Sequence, residues 1–89
     1  MYHRINKLKM DAFVKIKEIL IEILGVAESQ VTIESRFSDL GADSLDVIRL
    51  VVELEKEYSI SISDEQVEKF CTIKDLIGYM STTLKMDVA

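Results

Sequence analysis

The chain has little of what many proteins use to build stability or chemistry. In 89 residues there is no proline, no tryptophan, one cysteine, one histidine and three glycines. A single cysteine excludes an intramolecular disulfide, and one histidine beside it leaves little from which to build a structural zinc site. That usage fits a reducing compartment. No apolar run approaches the length of a bilayer span, and the first residues lack the unbroken apolar stretch of a secretory signal, so a cytoplasmic chain is expected. There is no Gly-rich phosphate loop and no credible grouping of nucleophile, base and orienting residue, which argues against an enzyme.

What is present is apolar and charged: 48% and 30% of the residues, respectively. At this length one domain with an economical core is expected, and the composition suits a small all-α bundle built on Leu, Ile and Val. The net charge of -5 disfavours nucleic acid and favours basic protein partners. The charge is unevenly spread. Residues 1–17 hold five bases (Arg4, Lys7, Lys9, Lys15, Lys17) against Asp11 alone, whereas residues 34–69 hold ten acids against four bases. The basic segment reads as a solvated helix face with a frayed terminus, and the acidic half is where partner binding is expected.

Phe13, Ile16, Leu20, Ile23 and Leu24 recur at helical spacing, and Gly25 follows as a stop. Ile5 and Leu8 extend the pattern upstream. Alternatively, Met10 is a second translation start and residues 1–9 are an extension of a domain spanning 10–89. Residues 26–43 have no sustained period and collect Ser29, Thr32, Ser35, Ser38 and Gly41, which predicts a long loop anchored by Val31, Ile33, Phe37 and Leu40. Ser63 with Gln66 predicts a capping box for a short third helix carrying Val67 and Phe70. Thr72 with Asp75 caps a fourth, whose Ile73, Leu76, Ile77, Met80 and Leu84 share one face. The expected fold is therefore a small four-helix bundle with three longer helices, a short third one and a long first loop.

The second helix carries two apolar stripes. At about 100° per residue, Val47, Leu50, Val51, Leu54 and Tyr58 share a face that should enter the core. Leu45, Ile48 and Val52 fall nearly opposite, on an arc with Arg49 and Lys56 and bordered by Glu55. Packing under the loop or the third helix is one account of this second stripe. A docking patch is the other, with apolar residues supplying contact area and the surrounding carboxylates steering encounter.

At the start of that helix stands Asp39-Leu40-Gly41-Ala42-Asp43-Ser44-Leu45-Asp46. It sets the Ser44 hydroxyl at a loop-to-helix junction, at or next to the N-cap, with a carboxylate on each side. Unpaired amides and the helix dipole converge there and tolerate added negative charge. A serine in this setting can act as a cap, as a modified residue, or as both.

This run resembles the modification motif of acyl carrier proteins, in which the serine of an Asp-Ser-Leu triplet carries a 4'-phosphopantetheine arm. The resemblance covers roughly residues 12–84, taking in Val31-Thr32, Arg36-Phe37-Ser38-Asp39-Leu40, Glu53-Leu54-Glu55-Lys56-Glu57-Tyr58, Ile62-Ser63-Asp64-Glu65 and Thr72-Ile73 in family order. It implies a non-catalytic carrier that holds acyl intermediates as thioesters on an arm attached to Ser44. A phosphopantetheinyl transferase (holo-ACP synthase) would supply the arm from coenzyme A, and acyltransferases, ketosynthases and other acyl-processing enzymes would receive the cargo. Asp43, Leu45, Asp46, Ile48, Arg49, Val52 and Glu55 would be recognition contacts on a monomeric carrier. Leu54, Tyr58, Ile62, Phe70 and Leu76 are candidates for lining an acyl chain, or are ordinary core. Arg49 and Lys56 stand where fatty-acid-synthesis carriers usually have acids, which leans towards a specialised, polyketide-type pathway. An aminoacyl carrier and an unmodified helical adaptor are the alternatives.

Other residues invite less. Cys71 is expected as a buried small residue rather than a nucleophile, because no basic cluster adjoins it. His3 lies in the terminal segment. The Asp39, Gly41, Asp43 spacing lacks the glycine position and terminal glutamate of a calcium loop, so no metal site is expected.

Overall fold

The helical spacing of Phe13, Ile16 and Leu20 becomes the inner face of helix α1 (Tyr2–Leu24), on which Ala12 and Ile19 are buried as well. The structure is a computed structural model and describes the backbone of residues 2–84 and the side chains of residues 10–83. Helix α1 runs without a break through Met10, so the backbone of residues 2–9 continues the helix. The side chains of His3, Ile5, Leu8 and Leu84 lie outside the described residues. Gly25 ends the helix as expected: its φ of +72° is a left-handed conformation that costs a glycine little, and its amide donates to the Ile21 carbonyl at 2.9 Å.

Helices α2 (Ser44–Tyr58), α3 (Asp64–Val67) and α4 (Ile73–Leu84) complete an all-α bundle, in which α1 packs on both α2 and α4. The core-facing stripe of α2 is as its spacing predicts, with Val47, Leu50, Val51 and Leu54 buried and Tyr58 half-buried. Burial, then the neighbouring charges of Glu57 and Asp11, push the Tyr58 hydroxyl pKa up. Ile62, Phe70, Ile73, Leu76, Ile77 and Met80 fill the opposite side of the same core. Ser81 is buried with them, and its hydroxyl finds no partner among the described residues.

The long loop is ordered by its backbone as much as by apolar anchors. Tight 3-10 turns form at Glu28–Gln30 and Ser38–Leu40. Val31 and Phe37 are buried and Leu40 partly so, but Ile33 is exposed, against expectation. Its carbonyl is what holds it, accepting the Lys74 amide at 3.0 Å, while the Ser35 carbonyl accepts that of Ile73 at 3.1 Å. A helix leaves its first amides without internal acceptors. In α4 the loop satisfies two of them, Thr72 Oγ1 accepts the Asp75 amide at 3.1 Å, and Asp75 Oδ2 accepts the amides of Cys71 and Thr72 at 2.9 and 3.0 Å. The Thr72 and Asp75 cap is thus complete.

The expected box at α3 is only half made. Ser63 Oγ accepts the Gln66 amide at 3.2 Å, but the Gln66 side chain does not return a bond to Ser63 and lines the cleft against α4 instead. Phe70 falls just after α3 and meets Tyr79 edge-to-face at 5.7 Å, joining the α3–α4 link to α4.

Candidate functional site

The turn before α2 is built to present one residue. Gly41, at φ +84°, closes the 3-10 turn with its amide on the Ser38 carbonyl, and the Ala42 amide reaches back to Phe37. The chain then enters α2 through Asp43, whose extended backbone is that of an N-cap. Asp43 Oδ1 accepts the Asp46 amide at 2.9 Å, and Asp46 Oδ2 accepts the Asp43 amide at 3.1 Å, a reciprocal capping box. Ser44 is therefore the first helical residue and not the cap. Its side chain is exposed and forms no hydrogen bond among the described residues, while the amides of Ser44 and Leu45 find no acceptor there either. Free donors at the positive end of a helix favour an anion.

Two clefts meet at Ser44. One, of about 330 Å³, opens towards α3 and is lined by Val47, Ile48, Asp64, Val67 and Glu68. The other, of about 260 Å³, opens towards the loop and is lined by Arg36, Phe37, Asp43, Val47, Phe70 and Cys71 among others. The second cleft corrects the expectation for Cys71, which is exposed. Its backbone is fixed on both sides, the carbonyl accepting the Phe37 amide and the amide donating to Asp75, and the buried ring is that of the preceding Phe70. Nothing in the local sequence places Arg36 at this site, because what brings it there is pairing of its backbone with distant Thr72.

Along α2 the second stripe is exposed: Leu45 by 68%, Ile48 by 43% and Val52 by 39%. Lys56 reaches Glu53 at 4.0 Å, whereas Arg49 is exposed and makes no ion pair among the described residues. Glu55 is half-buried, and its Oε2 accepts the Ile62 amide at 2.7 Å, so this carboxylate also braces the α2–α3 link. Leu54, Ile62, Phe70 and Leu76 are buried in the core with Tyr58 packed against it.

Residues 14–80 match the family model described as the phosphopantetheine attachment site. The fold superimposes on the crystal structure of an acyl carrier protein from Thermotoga maritima with a TM-score of 0.77 and 36% identity, over 86% of this chain and 91% of that one. The chain belongs to the acyl carrier proteins. Members of this family are carriers and not catalysts, and their partners are transferases and acyl-processing enzymes. The phosphopantetheine-attachment domain takes 4'-phosphopantetheine covalently. When bound, that group supplies a flexible arm ending in a thiol that forms thioesters. The junction fits it, for the exposed Ser44 hydroxyl stands beside two unpaired amides suited to a phosphodiester. Among the described residues no helix is long and apolar enough to cross a membrane, and no cluster of acids, His and Cys is fit to hold a metal.

Proposed function

We propose that Ser44 carries the 4'-phosphopantetheine arm and that the protein delivers acyl thioesters to the enzymes of a specialised, polyketide-type pathway. The exposed hydroxyl at the first position of α2, with the Ser44 and Leu45 amides free beside it, is the observation that supports the attachment. A phosphopantetheinyl transferase joins Ser44 Oγ to phosphorus as the bond from that phosphorus to the nucleotide half of coenzyme A breaks and the hydroxyl proton leaves. A tethered thioester then meets successive active sites at high effective concentration without diffusing away.

Docking uses the exposed face of α2. Leu45, Ile48 and Val52 supply the contact area, Asp43 and Asp46 meet basic side chains at the rim, and Glu55 keeps one oxygen for a partner while the other holds Ile62. The free cation at Arg49 supports the specialised pathway over fatty-acid synthesis, since it would oppose a basic partner at that point. The carrier acts as a cytoplasmic monomer, and residues 1–9 extend the carrier domain of residues 10–89.

The purified protein is incubated with coenzyme A, magnesium and a broad-specificity phosphopantetheinyl transferase beside a Ser44→Ala control. Intact and peptide mass spectra are expected to show one phosphopantetheine, confined to Ser44. A folded protein that gains none, or gains it at another residue, removes the assignment. Loading of the holo protein by ketosynthases and acyltransferases of each pathway type then separates the specialised from the fatty-acid role.

A further inference from the structure

The two clefts that meet at Ser44 differ in charge. The α3-side cleft carries Asp64 and Glu68 and no cation. Of the ionisable groups in the loop-side cleft, Arg36 is the cation and Asp43 the carboxylate, and one oxygen of Asp43 is already committed to the Asp46 amide. A phosphodiester on Ser44 is an anion placed between these surroundings, repelled on one side and attracted on the other.

We propose that Arg36 is the counter-cation of the Ser44-linked phosphodiester, and that the pantetheine segment next to the phosphate lies along the loop-side cleft. This rests on Ser44 being the attachment residue. The Arg36 backbone is fixed, its carbonyl accepting the Asp39 and Leu40 amides at 3.0 and 3.3 Å and its main chain forming an isolated antiparallel bridge to Thr72. That fixed backbone sets Arg36 in the lining of the cleft, and its exposed side chain makes no ion pair among the described residues, so it is free to pair with phosphate. A planar guanidinium suits phosphate oxygens better than an ammonium does. Phe37, Val47 and Phe70 give the same cleft an apolar floor suited to the branched dimethyl segment of the arm. Phe70 also borders the next cleft, where Lys69 and Lys74 continue the positive surface and the Asp75 carboxylate is occupied by the Cys71 and Thr72 amides.

The test uses the holo protein, isotope-labelled in the polypeptide and unlabelled in the arm. Its mass first reports attachment at Ser44, and filtered nuclear Overhauser spectra then report which protein protons lie near the pantetheine methyls. The expected contacts are with Arg36, Phe70 and Cys71, together with displacement of the Arg36 Nε–H resonance between apo and holo wild type and of the phosphorus resonance between holo wild type and holo Arg36→Gln. In Arg36→Gln the loop-side contacts weaken about two- to fivefold, as the loss of one partly exposed ion pair implies, whereas Arg36→Lys retains most of them. Contacts to Ile48 and Val67 instead, no protein contacts, or loop-side contacts that Arg36→Gln leaves unchanged would each overturn the proposal. A missing mass increment removes the attachment reading, while an increment with contacts elsewhere removes only the path of the arm.

Discussion

Asp43 and Asp46 exchange hydrogen bonds across the first turn of α2, each carboxylate accepting the other's amide, at 2.9 and 3.1 Å. Two like charges three residues apart repel, and here the amides and the helix dipole offset that repulsion. The arrangement leaves Ser44 between them with no structural duty. One pair of residues thus both starts the helix and frees the serine.

Removing the cap should therefore reach beyond Asp43. Asp43→Ala is expected to destabilise the protein by about 1 kcal/mol and Asp43→Asn by much less, since Asn still accepts the Asp46 amide. Urea denaturation measures both. Equal losses in the two variants would show that charge and not the cap bond matters.

Ser59 ends α2 in the left-handed region, at φ 56°, where a side chain is strained. Ser59→Gly should raise stability by about 0.5 kcal/mol, because relief of strain exceeds the added freedom of the unfolded chain. A fall in the urea midpoint would contradict this.

The unpartnered hydroxyl of Ser81 costs desolvation without a compensating bond. Ser81→Ala, which removes little volume, is expected to raise the thermal midpoint with a gain of about 1 kcal/mol. Loss of stability would mean that the hydroxyl is satisfied in solution.

The Asp75 carboxylate is held below its ordinary pKa, first by the Cys71 amide and then by that of Thr72. A group whose pKa falls on folding contributes stability above its unfolded value and loses it as pH drops through the folded one. The parent should accordingly lose more stability than Asp75→Asn when pH is lowered from about 7 to about 3. Parallel urea midpoints for the two proteins across that range would refute the assignment.

Substitutions on the exposed face of α2 should separate docking from folding. Ile48→Ala and Arg49→Glu are expected to change stability by no more than about 0.5 kcal/mol, as exposed sites do. Transfer rates to partner enzymes should fall for Ile48→Ala and change with salt for Arg49→Glu. An unfolded Ile48→Ala protein would place that residue in the core.

Much of this was legible in short-range pattern. The inner stripe of α2, the Gly25 stop and the Thr72 cap each depend on residues within one or two turns, and those spacings survive folding. The exposed positions of Ile33 and Cys71 and the approach of Arg36 to Ser44 depend instead on backbone pairing between the loop and the α3–α4 link. Hydropathy carries no trace of a carbonyl that accepts an amide far along the chain. For the same reason, the half-made box at Ser63 could not be told from a full one, because the alternative position of Gln66 exists only once α4 is beside it.

Because the Ile33 and Ser35 carbonyls cover the first amides of α4, the loop cannot lift without uncovering them. The amides of Ile73 and Lys74 should thus exchange with solvent deuterium at the rate at which the loop opens, and not at the rate of an ordinary frayed helix end. The segment leading to the serine and the start of the last helix are one cooperative unit in time, although much of the sequence separates them.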